Sequence, residues 1–288
     1  MPSKQRRSDA SERRNELRPV LRRLTALLAA KGVESPQTDA ELLVGHVLEL
    51  SRSELQVMSF RQVTPSELAE LEQLVERRAR REPLQYVLGE WGFRRLLLKV
   101  DARALIPRPE TEIVVERVLA LVEGTAEPLV LDVGTGSGAI ALAIVDERPG
   151  ARVTGIDSSA AALSLARENA ARCGLQVELE CRDLFDGVPA GPWDVVVCNP
   201  PYVRLADRDS LAPEVRDWEP APALFSDEAT DAVARAALNV LAEGGALVLE
   251  VGDGQAAKVA QLLDSLGYSR VRVTKDLSGR ERVVEGTR

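Results

Sequence analysis

The rhythm of apolar residues changes about a third of the way along this chain. In the first part they recur three and four apart. Leu17, Val20, Leu21, Leu24, Leu27 and Leu28 share one side of a helical wheel, which predicts an amphipathic helix stopped at Lys31-Gly32. Pro36 and Asp39 open a second helix that carries His46, read as a structural residue. Thr64-Pro65-Ser66-Glu67 is a capping box with proline in the first helical position. Behind it Leu68, Leu71, Leu74 and Val75 form one apolar face. The run Arg77-Arg78-Ala79-Arg80-Arg81 ends that helix and suits its negative pole. It reads as a solvated helix end, with a docking patch for a partner protein as the alternative.

Further on, the pattern becomes short continuous apolar runs bounded by turn residues. Leu129–Val133 and Val195–Cys198 read as buried strands, and Thr154–Asp157, Val177–Glu180 and Ala246–Val251 as further strands. Helical stretches at Glu110–Leu121, Ala139–Val145 and Ala256–Leu266 alternate with them. Tyr268–Thr274 and Arg282–Glu285 read as a closing antiparallel pair. The alternation predicts an α/β fold, Rossmann-like, with a mostly parallel sheet and an antiparallel C-terminal edge. A small N-terminal helical domain precedes it. The expected division is a disordered polar tail over 1–15, the helical domain over 16–82, a linker with a hairpin over 83–109, and the α/β domain over 110–288. Within the linker, Phe93–Val100 reads as a strand.

Charge changes the picture of partners. Residues 1–100 carry 18 Lys+Arg against 14 Asp+Glu, a net of +4, and residues 101–288 carry 19 against 31, a net of −12. An acidic second part suits a phosphate backbone poorly, so stable nucleic-acid binding is not expected. No apolar run reaches the ~18 residues of a membrane span. The polar first residues lack the apolar core of a secretory signal, and a cytoplasmic location is expected. Cys173, Cys181 and Cys198 form no C-x-x-C pair and read as reduced packing residues. With one histidine, neither a metal site nor a Ser-His-Asp mechanism is supported.

Two motifs carry chemistry. The strand Leu129–Val133 runs into Gly134-Thr135-Gly136-Ser137-Gly138 and then into a helix, the start of a nucleotide-binding α/β unit. The spacing is G-x-G-x-G, not the dinucleotide G-x-G-x-x-G, which argues against a nicotinamide oxidoreductase. Asp157 ends the next strand at the position of a ribose-binding acid. Its alternative is a helix N-cap, with Ser158 and Ser159 as rivals. The second motif is Asn199-Pro200-Pro201-Tyr202 at the end of the Val195–Cys198 strand. The prolines bring no N–H, so the loop offers acceptors. Such a loop suits a substrate that presents an NH2 group. A rigid turn after a core strand is the plainer alternative.

The order of glycine turn, acidic strand end, Arg182-Asp183-Leu184 and Asn-Pro-Pro-Tyr resembles the class I S-adenosylmethionine-dependent methyltransferases of the amino-methyltransferase branch. The chain is more closely similar to one family, the protein-(glutamine-N5) methyltransferases that modify peptide-chain release factors. The segments that carry this are Arg81-Glu82-Pro83-Leu84-Gln85-Tyr86-Val87-Leu88-Gly89, Leu105-Ile106-Pro107-Arg108-Pro109-Glu110-Thr111-Glu112, Glu219-Pro220 and Gly279-Arg280-Glu281-Arg282-Val283-Val284, beside the two motifs. Trp218 stands where this family usually has Phe, and Ala229 where a glycine is frequent.

The resemblance implies S-adenosylmethionine as cofactor, held by Gly134, Thr135, Gly136, Ser137 and Gly138 around its methionine part. Asp157 would accept from the ribose, Asp183 and Leu184 would border the adenine, and Asn199 would stand beside the methyl group. The implied substrate is the glutamine of a Gly-Gly-Gln loop. Asn199 and the Pro200 carbonyl would accept its two N–H bonds, with Pro201 and Tyr202 completing the substrate site. Arg108 or Thr111 would touch the methionine carboxylate or the substrate, or Arg108 would pair with Glu110 or Glu112. An adenine-N6 DNA or RNA methyltransferase is the rival enzyme, since adenine also presents an NH2 group. A non-catalytic adaptor that keeps the fold is a rival of another class.

Overall fold

The computed structural model describes residues 15–288; apart from Asn15, the tail expected over 1–15 lies outside the described residues. The chain divides into two compact units, the first closing at Gly89 and the second running from Glu90 to Arg288.

The first unit holds helices Leu17–Ala30, Pro36–Leu48, Arg52–Val57, Pro65–Ala79 and Leu84–Leu88. Leu17, Val20, Leu24 and Leu28 are buried and meet Leu43, Val44, Leu71 and Val75. Burying each such side chain contributes roughly 1.5–3 kcal/mol. Leu27 stays 40% exposed, so the apolar stripe is narrower than the periodicity suggests. Both halves of the predicted capping box form. The Glu67 amide donates to Thr64 Oγ1 at 3.3 Å, and the Thr64 amide donates to Glu67 Oε2 at 2.7 Å.

The basic run is a solvated helix end only in part: Arg80 is exposed, but Arg77 and Arg78 are engaged within the unit. Arg78 is buried, and its Nε donates to Asp39 Oδ2 at 2.7 Å. Arg77 donates to Glu82 and to the carbonyls of Tyr86 and Val87. The chain folds back over the helix end, so these cations serve intramolecular acceptors. His46 is exposed on its helix.

The second unit opens with a hairpin of β1 (Glu90–Phe93) and β2 (Leu96–Lys99). The stretch expected as one strand from Phe93 is interrupted at Arg94, which has a positive φ of 52°. Its guanidinium is held by Glu147 and Glu116, which secures the turn there. The segment 83–109 thus contributes a helix to one unit and a hairpin to the other.

Seven strands follow: β3 (Leu129–Val133), β4 (Arg152–Asp157), β5 (Glu178–Cys181), β6 (Trp193–Cys198), β7 (Leu241–Glu250), β8 (Ser269–Lys275) and β9 (Glu281–Thr287). They form one sheet in the order β5-β4-β3-β6-β7-β9-β8. β3 to β7 pair in parallel, and β9 lies antiparallel to both β7 and β8, the expected edge. β7 begins ahead of Gly244-Gly245, because Leu241 already pairs with Trp193 before the register shifts.

Alternate residues serve opposite faces of the sheet, the period of a pleated strand. Val130, Val195, Val197 and Val248 pack on one side with Ile140, Ile144 and Val114. Leu131, Val196, Leu247 and Leu249 pack on the other with Val233, Val259 and Leu263. Both faces are covered at the centre of the sheet, so residues 195–198 of β6 and 246–249 of β7 read as unbroken apolar runs, whereas β5 and β8 at its edges hold no buried residue.

The register positions the site. Val133 pairs with Ile156 on one side and with Cys198 on the other, and Cys198 pairs with Leu249. The residues that come next, Gly134, Asp157, Asn199 and Glu250, therefore share the carboxyl edge of the sheet. No helix among the described residues is long and apolar enough to cross a membrane.

Candidate active site

The strand order reverses between β3 and β6, and a doubly wound sheet opens its crevice at such a point. A cavity of about 420 Å³ lies there. Gly134, Thr135, Gly136 and Ser137 line it, with Asp157, Asp183, Leu184, Asn199, Pro200 and Pro201. Gly138 and Tyr202 do not. A larger depression of about 810 Å³, lined by Leu129, Arg152 and Trp193 among others, carries none of the motif residues.

The glycine turn is held from below. The amides of Gly134 and Thr135 donate to the Ile156 carbonyl at 2.8 and 2.9 Å. Thr135 Oγ1 donates to Asp132 Oδ2 at 2.6 Å. Burial pushes the Asp132 carboxyl up to about 7. Gly138 has φ +82°, and a Cβ there would stand 3.2 Å from the Ala166 side chain. Its task is close packing of the turn against helix Ala160–Cys173.

Asp157 is not the helix N-cap. Ser159 fills that role, accepting from the Ala162 amide at 3.1 Å. Asp157 Oδ2 accepts from the Gly136 amide at 2.9 Å and Oδ1 from the Ser159 amide at 2.8 Å. Burial raises its carboxyl, and those two amides oppose the rise. The carboxylate is thereby fixed at the cavity wall with lone pairs to spare. Asp183 is exposed and caps the short turn Leu184–Asp186, while Leu184 is half-buried beside it.

Asn199 lines the same cavity from the end of β6, on the other side of β3 from Asp157. Its Nδ2 donates to Thr111 Oγ1 at 3.3 Å. Thr111 lines the same cavity, and with Nδ2 committed to it Oδ1 is the end of the planar amide left for a ligand. Thr111 Oγ1 in turn donates to Glu250 Oε2 at 2.6 Å. The Tyr202 hydroxyl donates to Glu250 Oε1 at 3.4 Å, and Gln255 Nε2 donates to the Tyr202 carbonyl. Tyr202 is thus half-buried and tied to Glu250, outside the cavity lining. Glu250 is 2% exposed, and burial raises its carboxyl to about 7.

The motif reading passes over Glu250. The available signal was an acid closing an apolar strand, the same feature that singles out Asp157. Arg108 lines the cavity but pairs with buried Glu219 and not with Glu110 or Glu112. Ala229 also lines it, in ordinary helical geometry at the start of helix Ala229–Val240. Trp218 is half-buried and outside the lining. Of the cysteines, Cys198 is buried, Cys173 is half-buried and Cys181 is exposed, so Cys181 is not a packing residue.

Residues 19–89 match the family model described as PrmC N-terminal domain, and residues 111–214 match that of the methyltransferase small domain. A release factor glutamine methyltransferase of Deinococcus radiodurans is 43% identical over 95% of this chain and 99% of its own length. The chain belongs to that family. A release factor glutamine methyltransferase of Rhodospirillum rubrum is 43% identical over 88% of this chain and 80% of its own. Among solved structures, the hMettl16 catalytic domain in complex with an RNA hairpin aligns with a TM-score of 0.52 at 14% identity, over 66% of this chain and 74% of that one. That likeness is one of fold.

A methyltransferase of this family uses S-adenosylmethionine, and the cavity's walls fit such a molecule. Helix Ala139–Glu147 starts at the cavity with no side-chain cap from Gly138; the Ala141 amide bonds Asp132, and the amides of Ala139 and Ile140, which line the cavity, suit an amino-acid carboxylate. Asp157 presents acceptors suited to a diol. The apolar lining around Ile140, Leu184 and Phe225 suits a flat base.

Proposed function

We propose that this chain methylates the side-chain amide nitrogen of the glutamine in the Gly-Gly-Gln loop of peptide-chain release factors, in the cytoplasm and without stable binding to nucleic acid. The observation that carries this reading is Asn199 at the cavity wall with its NH2 committed to Thr111, which leaves its acceptor end for a substrate. It sits in a chain that matches release factor glutamine methyltransferases over nearly its whole length.

A carboxamide nitrogen is a poor nucleophile because its lone pair is shared with the carbonyl. Asn199 Oδ1 and the Pro200 carbonyl would accept its two N–H bonds. As the nitrogen turns pyramidal it gains positive charge, and these acceptors hold it more strongly than in the ground state. Pro200 is buried and Pro201 half-buried, so the loop keeps its geometry. In-line placement supplies much of the remaining acceleration. When bound, S-adenosylmethionine supplies an electrophilic methyl group on a sulfonium. Gly134, Thr135, Gly136, Ser137, Asp157, Asp183 and Leu184 would position it. Gly138 supports that turn through packing, and Tyr202 supports the substrate loop.

The test offers the protein purified release factor and unmethylated DNA in parallel, with labelled S-adenosylmethionine. Mass spectrometry should find one added methyl on the glutamine of the Gly-Gly-Gln peptide. Label on DNA alone would overturn the substrate and leave the cofactor site standing.

A further inference from the structure

Glu250 closes β7 as a buried carboxylate, and the acceptor chemistry above gives it no part. Its Oε2 nevertheless ends a chain of bonds that begins at Asn199, while Oε1 accepts from the Tyr202 hydroxyl. Nδ2 of Asn199 meets Thr111 Oγ1 at 3.3 Å, and Thr111 Oγ1 meets Glu250 Oε2 at 2.6 Å. Each bond in this chain has a direction. An ionised carboxylate can only accept. It therefore claims the single proton of the Thr111 hydroxyl. That hydroxyl can then only accept from its other neighbour, so the Asn199 amide must turn its NH2 toward Thr111.

We propose that Glu250 is a positioning residue that acts through Thr111 to fix which end of the Asn199 amide faces the substrate. The proposal rests on the reading that Asn199 Oδ1 receives the substrate N–H. A protonated carboxyl at 250, or an amide, could donate to Thr111. The threonine proton would then be free to point at Asn199 and stabilise the flipped amide. Asn199 would present NH2 to the substrate's NH2, two donors face to face.

The groups around Glu250 set the pH at which this occurs. Thr111 and Glu110 face it from the turn before helix Glu112–Leu121, Tyr202 from the loop after β6, and Arg282 from β9. Burial and Glu110 favour the neutral form. Thr111, Tyr202 and Arg282 favour the charge. Because the ionised form holds Asn199 in its working orientation, turnover falls as pH drops through about 7.

The test uses the full chain labelled with 15N-asparagine. The chain has four asparagines, Asn15, Asn169, Asn199 and Asn239, and the Asn199 side-chain signal is the one lost in Asn199→Ala. In the wild type that signal should titrate in a single step as Glu250 ionises. In Glu250→Gln it should lie at a shifted position that does not change with pH. Thr111→Ser should keep the coupling and Thr111→Val should lose it. With a Gly-Gly-Gln peptide at about pH 8, Glu250→Gln should lower kcat by about tenfold or more, with KM for the cofactor within about twofold of wild type. Its rate should also lack the acid limb. An Asn199 signal that behaves identically in wild type and Glu250→Gln would overturn the proposal, as would wild-type kcat in that variant. If the wild type fails to methylate the peptide, the substrate reading fails instead. The resonance titration needs no substrate and still decides the coupling.

Discussion

Asp157 and Asn199 line one cavity from strands on either side of β3, and their surroundings suit them to different tasks. Asp157 is braced by the amides of Gly136 and Ser159, which suits a fixed acceptor for a bound cofactor. Asp157→Ala should weaken S-adenosylmethionine binding about tenfold or more by titration calorimetry, the order expected for losing charge-assisted bonds. Unchanged affinity would rule out its ribose role. Asn199→Ala removes an acceptor aimed at developing charge. It should lower kcat by about 10²–10³-fold while cofactor affinity stays near wild type. Turnover close to wild type would sink the proposed mechanism. Both residues were legible in the sequence because each stands at the end of a segment that reads as a strand, Asp157 after the glycine turn and Asn199 after an apolar run. Gly138 was legible as part of a glycine turn, but its packing against Ala166 was not, since Ala166 belongs to a different helix.

At the scale of elements, local signals transferred well. The capping box at Thr64 forms as spelled, because both bonds join residues three apart. Thr64→Ala should cost about 1 kcal/mol, read as a lower urea midpoint with an unchanged slope. Strand cores were equally legible, since burial on both faces leaves continuous apolar runs. Their ends were less so. β7 starts at Leu241 because of its partner Trp193, and nothing in its own residues marks that point. The turn between β1 and β2 falls inside an amphipathic run, at an arginine whose acidic partners lie elsewhere in the chain. Pairing decided both cases, and pairing is not a property of one segment.

Across the whole molecule, buried acids shape the response to pH. Burial raises Asp132 and Glu250 from 3.8 and 4.5 to about 7. Between about pH 4 and 7 the folded state therefore holds protons that the unfolded state has released, and stability falls as pH rises through that window. Below it the sign reverses. Glu168 and Asp276 are held down to about 2, the first by Arg103 and the second by Ser278, and their contribution is lost as pH falls. Tm should peak near pH 4 and decline toward pH 7, and Asp132→Asn should make the decline shallower. A Tm that rises from about pH 4 to 7 would contradict the burial argument. By itself the sequence determined the helical and α/β parts, the glycine turn, the acidic strand end and the acceptor loop. Periodicity, caps and the missing proline N–H act within a few residues, so they are written locally. Only the tertiary structure decided that Arg78 meets Asp39 across 39 positions, Arg108 meets Glu219 across 111, and Thr111 meets Glu250 across 139. A buried charge must find a partner, but chain folding and sheet register choose which one.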